Sequence, residues 1–101
     1  MLILQTLARG GPLHGYGIAQ QIRQRTDGVL QVEEGALYPA LQRMLANGWI
    51  TGEWKLSDNN RRARFYSLTV EGREQLDVEV DQFERTVRAI TQIIRPLAAE
   101  A

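Results

Sequence analysis

Three arginines in four positions, Arg61, Arg62 and Arg64, follow the turn-forming run Ser57-Asp58-Asn59-Asn60. A guanidinium is a planar, permanently charged fork that matches phosphate oxygens, so arginines gathered beside a turn are suited to gripping a polyanion. From Trp54 to Tyr66 the cations are Lys55, Arg61, Arg62 and Arg64 and the anion is Asp58, a net of +3. Upstream, Tyr38, Gln42 and Arg43 form a second set. Tyr38 and Gln42 can donate to phosphates or base edges, and Arg43 can pair with phosphate or guanine. Each residue alone is ordinary, and charge runs commonly do no more than solubilise a turn. Together they favour duplex DNA, with a helix in the major groove and a basic turn on phosphates or in the minor groove. Arg64 lies inside a strand and could equally form an ion pair with Glu53.

Other chemistry has little to work with. The chain has no cysteine, which excludes disulfides and Cys-ligated metal centres, and its single histidine, His14, cannot supply a multi-histidine site. A structural hydrogen bond or helix cap is the expected use of His14. No phosphate-cradling glycine loop, H-E-x-x-H or G-x-S-x-G is present, so no enzyme, cofactor or metal is expected. No apolar run approaches the roughly 20 residues of a membrane helix, and the first residues lack the basic region of a signal peptide. A cytoplasmic location is the expectation.

The elements that must position the two sets follow from periodicity. At 101 residues, 44% hydrophobic and 24% charged, the chain is of single-core size. Residues 1–9 read as a helix ending at Gly10-Gly11-Pro12, and a second runs from Gly15 to Thr26 with Ile18, Ala19 and Ile22 inward and Gly28 as its left-handed stop. Val29–Val32 could add a short strand. The third helix, near residues 34–47, places Leu37, Leu41, Met44 and Leu45 on one arc and Gly35, Tyr38, Pro39, Gln42, Arg43 and Ala46 on the other. Pro39 fits a first turn or a kinked one, because it has no N–H to continue the ladder.

Residues 50–56 alternate as a half-buried strand, and 63–68 return as its partner across the turn. Trp49 and Trp54 are expected to complete the core beneath this hairpin. Thr69 suits the N-cap of a long last helix, with Glu71 on its dipole. There Leu76, Val80, Phe83, Val87, Ile90, Ile94 and Leu97 are spaced 4, 3, 4, 3, 4, 3, a narrow apolar seam of the kind that pairs with a second helix. The acids Glu71, Glu74, Asp77, Glu79, Asp81 and Glu84 against Arg73 give this stretch a net of −5. A chain of zero net charge can therefore still present a basic edge.

The predicted fold is mainly α with a small β-hairpin: a winged helix-turn-helix domain over residues 1–69, followed by a dimerisation helix over 70–101. A protein-interaction adaptor without DNA binding is the alternative, since the fold alone does not set function.

Four segments taken in order carry a family resemblance. They are His14-Gly15-Tyr16-Gly17-Ile18, Gly35-Ala36-Leu37-Tyr38-Pro39-Ala40-Leu41, Gly48-Trp49-Ile50, and Arg64-Phe65-Tyr66-Ser67-Leu68-Thr69 with Gly72. The combination resembles the PadR-type transcriptional regulators over Leu2 to about Leu76. That resemblance implies a homodimeric regulator, usually a repressor, on an inverted-repeat operator, in some members responsive to a small molecule at or near the dimer interface. It implies backbone contact by Tyr38, close approach at Gly35, a place for Ala36 in the DNA-binding set, a wing role for Arg61 and Arg62, and a less defined role for Tyr16. It also implies a last helix that packs on the partner's first helix, so that Leu4 and Leu7 join Leu76, Val80, Phe83, Val87, Ile90 and Ile94 at the interface. The sequence departs from the family where Glu33-Glu34 replace the usual serine or threonine cap. These carboxylates suit the helix dipole but repel phosphate, so they should point away from the DNA backbone or toward cytosine.

Overall fold

The computed structural model describes residues 1–95. Leu97, the last residue of the predicted seam, lies outside the described residues, as does the end of the predicted dimerisation helix. In chain order the elements are α1 (Leu2–Gly10), β1 (Leu13–His14), α2 (Gly15–Arg25), α3 (Glu34–Ala46), β2 (Ile50–Leu56), β3 (Arg62–Leu68) and α4 (Val70–Ile94). The strands form one antiparallel sheet in the order β1-β3-β2.

The core gathers one face from each helix. Ile3, Leu4 and Leu7 of α1, Ile18 and Ile22 of α2, Leu37 and Leu41 of α3 and Leu76 of α4 are buried with Ile50 and Tyr66 of the sheet. Each such side chain contributes roughly 1.5–3 kcal/mol by leaving water. The expected inward face of α2 holds, and the apolar arc of α3 holds at Leu37 and Leu41, with Met44 and Leu45 partly buried behind them.

Caps set the helix ends. His14 Nδ1 accepts from the Gly17 N–H at 3.0 Å, the structural use expected of the lone histidine. Gly28 adopts φ 79°, and its N–H reaches back to the Arg23 carbonyl at 2.8 Å, closing α2 as predicted. After α3, Gly48 turns at φ 75° so that the Trp49 N–H bonds the Met44 carbonyl at 3.0 Å. Thr69 Oγ1 accepts from the Gly72 N–H at 2.9 Å, and its hydroxyl donates to the Gly48 carbonyl at 2.7 Å. One threonine thus begins α4 and ties it to the end of α3.

Several expectations need correction. Val29–Val32 forms no strand, because the Thr26 carbonyl takes the Val29 N–H at 2.9 Å and Thr26 Oγ1 takes the Leu30 N–H at 3.0 Å, while its own proton goes to the Ile22 carbonyl at 2.8 Å. The backbone groups a strand needs are spent on the end of α2. The third strand is instead β1, whose Leu13 and His14 pair with Tyr66 and Phe65. Pro39 is the sixth residue of α3, which starts at Glu34, so it sits inside the helix and not in its first turn. Trp49 packs against the core, but Trp54 does not: it is 57% exposed. Along β2 only Ile50 is fully buried, because the hairpin runs out past the helices that would cover it.

Candidate nucleic-acid interface

Hairpin register decides which side chains meet. Residues directly opposite are Gly52 and Tyr66, Trp54 and Arg64, and Leu56 and Arg62. Because side chains alternate along a strand, these six share one face of the sheet, and Glu53, opposite Phe65, lies on the other. The anticipated Arg64–Glu53 ion pair is therefore not made. Glu53 sits near Lys55 instead, at 3.8 Å, in an exposed pair of little energetic weight.

On its own face Arg64 lies over Gly52, where a Cβ would run into its Nε. Its guanidinium carbon is 5.9 Å from the centre of the Tyr66 ring, and that of Arg62 is 5.3 Å from the centre of the Trp54 ring. Guanidinium and aromatic planes thus alternate down the wing. Burial pushes the Tyr66 phenol above its ordinary value, the positive charge of Arg64 draws it back, and Tyr38 nearby raises it. Nε of Arg64 is itself buried, with no hydrogen-bond acceptor among the described residues. Groups in that condition are uncommon, because burial without a partner is costly.

This face of the wing looks across an open groove of about 520 Å³ at α3 and the start of α2. Tyr38 and Gln42 line it from α3, Tyr16 from α2, and Arg61, Arg62 and Arg64 from the wing, while no carboxylate among the described residues lines it. Gly15 allows the approach of Tyr38, since a Cβ there would lie 3.2 Å from the phenol oxygen. Among the described residues Arg43, Arg61, Arg62 and Arg64 form no ion pair with a carboxylate. The structure therefore gathers Tyr16, Tyr38, Gln42, Arg61, Arg62 and Arg64 in one place. Gly35, Ala36, Pro39 and Arg43 are exposed on α3 but outside the groove lining. Glu33 and Glu34 are exposed too, and the Glu33 side chain makes no capping bond. Sequence reasoning missed Trp54 and Tyr66, which also line the groove. Strand alternation indicated their face, but nothing in it told which part of that face the helices cover.

The seam residues divide. Leu4, Leu7 and Leu76 are buried within this chain's own core and have no surface left to offer a partner, which corrects their assignment to an interface. Val80 is partly covered. Phe83, Val87, Ile90 and Ile94 are exposed, at 52%, 42%, 53% and 67%. No described helix is long and apolar enough to cross a membrane, and no cluster of potential metal ligands occurs among the described residues.

A family model described as the transcriptional regulator PadR-like family matches residues 3–78. A transcriptional regulator from Clostridium thermocellum is 29% identical with a TM-score of 0.84, over 93% of this chain and 90% of that one. A PadR family transcription regulator from Clostridium difficile is 28% identical with a TM-score of 0.76, over 92% of this chain and 94% of that one. Bacillus subtilis PadR, solved in complex with operator DNA, is 25% identical with a TM-score of 0.67, over 78% of this chain and 44% of that one. No curated protein matches the chain.

Proposed function

The chain belongs to the PadR-like family of transcriptional regulators, and from that premise we propose that it is a cytoplasmic repressor that binds an inverted-repeat operator as a homodimer. Residues 1–69 form the DNA-binding unit and the helix from residue 70 holds the pair together. The observation that carries this reading is the groove between α3 and the wing, which gathers Arg61, Arg62 and Arg64 with no carboxylate among its described lining residues. A phosphate oxygen is an acceptor of the right charge. The operator complex of the Bacillus subtilis relative supports the same partner. In this arrangement α3 enters the major groove, with Gly35, Ala36, Pro39 and Arg43 on its exposed side, and the wing holds the adjacent backbone.

Two features support pairing. Phe83, Val87, Ile90 and Ile94 form an exposed apolar stripe at heptad spacing. Residues 71–84 carry six acids and one arginine, whereas 85–95 carry Arg85, Arg88 and Arg95 and no acid. Two α4 helices laid antiparallel oppose charge of unlike sign, and a parallel pair opposes like with like. A small-molecule effector would act by altering that pairing, and no side chain here names its chemistry.

Gel retardation of the region upstream of the protein's own gene, over a salt series, tests the reading. If Lys55, Arg43, Arg61, Arg62 and Arg64 of both protomers all touched phosphate, the log–log slope would be about −9. Replacing Arg61 and Arg62 by alanine should flatten the measured slope by up to about 4 and weaken all sequences alike, whereas Gln42→Ala should change sequence preference. Salt-independent binding, or none, would favour a protein-interaction adaptor.

A second prediction isolates Arg64. At Gly52 an added Cβ meets a movable side chain and not backbone, so Gly52→Ala should fold with a nearly unchanged melting temperature. It should nonetheless dislodge Arg64 and lower DNA affinity at least about tenfold, as Arg64→Ala should. Equal affinity for Gly52→Ala and the unmodified protein would show that Arg64 has no part in binding.

A further inference from the structure

Trp54 has no role in a purely ionic grip. It is the largest apolar side chain on the wing, it is exposed, and it lines the same groove as Tyr38 and Gln42. Arg64 stands directly opposite it in the hairpin, and the Arg62 guanidinium lies over its ring. The indole therefore sits among cations, between the exposed side of α3 and the arginine-bearing end of the wing. With α3 in the major groove and the wing arginines beyond the adjacent phosphates, the intervening element of the DNA is one sugar–phosphate strand. Deoxyribose carbons are the apolar part of that strand, and phosphates flank each sugar.

We propose that Trp54 packs its ring on deoxyribose of the strand between the two grooves, while Arg62 and Arg64 take the neighbouring phosphates. The wing then contributes a non-ionic contact as well as charge, and one indifferent to base sequence. The inference rests on the DNA-binding reading above and deepens it.

The test uses the full chain, its upstream DNA and a generic duplex of about 30 base pairs, since a sugar contact is present on both. Saturating duplex should alter the tryptophan emission of the unmodified protein. The change should vanish in Trp54→Ala, which retains only Trp49. Covering about 30 Å² of indole in each protomer, about 60 Å² per dimer, is worth roughly tenfold in affinity, so Trp54→Ala should raise Kd about tenfold with its salt slope intact. Arg62→Ala should instead flatten the slope by about 2 per dimer. Trp54→Phe, which keeps an aromatic face, should retain most of the affinity. The proposal fails if Trp54→Ala binds like the unmodified protein, or if it loses slope as Arg62→Ala does, which would make the ring a mere support for Arg62. It fails equally if single-stranded DNA binds more tightly than duplex, which would mean stacking on a base. No duplex binding by the unmodified protein overturns the regulator reading itself, a result distinct from these three.

Discussion

Replacing Ile90 by glutamate should leave a folded chain that no longer pairs and that binds an inverted-repeat operator about a hundredfold to ten-thousandfold more weakly. The fold should survive because Ile90 is 53% exposed and outside the protomer's core. In the proposed pair the same position is central to the seam, flanked by Val87 and Ile94. An unpaired carboxylate buried there costs several kcal/mol unless the helices separate. The loss in affinity follows from geometry, because in the proposed dimer each half-site is read by one protomer. Once the first is bound, the second meets its half-site at an effective concentration in the millimolar range, and separating the protomers removes that gain. Sedimentation should show a monomer, circular dichroism an unchanged helix content, and gel retardation the weakened binding. A monomer with undiminished affinity would show that the dimer is not the binding unit. Leu76→Ala makes the contrast: it should lower the stability of the protomer itself by about 2–5 kcal/mol, because Leu76 is buried at home.

Gly72→Ala should be among the most damaging single-methyl changes available to this chain. A Cβ at Gly72 would fall on the carbonyl oxygen of Trp49 and press the Leu68 side chain at 2.8 Å. The first obstacle is backbone, and that backbone is already held, since the Trp49 carbonyl accepts from the Thr69 N–H at 3.0 Å. Relief requires moving the first turn of α4 away from the α3–β2 turn, which strains the Thr69 cap as well. Overpacking alone typically costs about 1–3 kcal/mol, and losing a cap about 1 kcal/mol more. A loss of about 2–4 kcal/mol is expected, a large share of the roughly 5–15 kcal/mol that holds a small domain folded. Urea unfolding should show a lower midpoint at unchanged slope. A midpoint within error of the unmodified protein would mean that the junction yields easily.

Much of this arrangement was legible beforehand. The α3 wheel separated Leu37 and Leu41 from Tyr38, Gln42 and Arg43 because a helix fixes the angle between residues. Gly28 and Thr69 marked helix ends because left-handed backbone and orphan N–H groups have few solutions. The misses share a cause, which is that local pattern carries no information about what lies opposite. Spacing alone could not tell whether Leu76 meets its own core or a partner's, and alternation along β2 could not show that the helices stop short of Trp54. The Arg64–Glu53 pairing failed on parity, since a shift of one residue in the turn exchanges the two faces. Leu13 and His14 are too few to show any period, and only the finished edge of β3 makes them a strand.

The bond between Thr69 and the Gly48 carbonyl has a mechanical meaning. With Gly72 pressed on Trp49, it ties the first turn of α4 directly to the end of α3. The arm is long: 25 residues of α4 at about 1.5 Å each extend roughly 37 Å from that fulcrum. Any change in how two such arms cross would be delivered to both α3 helices as a change in their separation. In the proposed dimer, half-site spacing on the operator would then follow from an angle at the far end of the molecule.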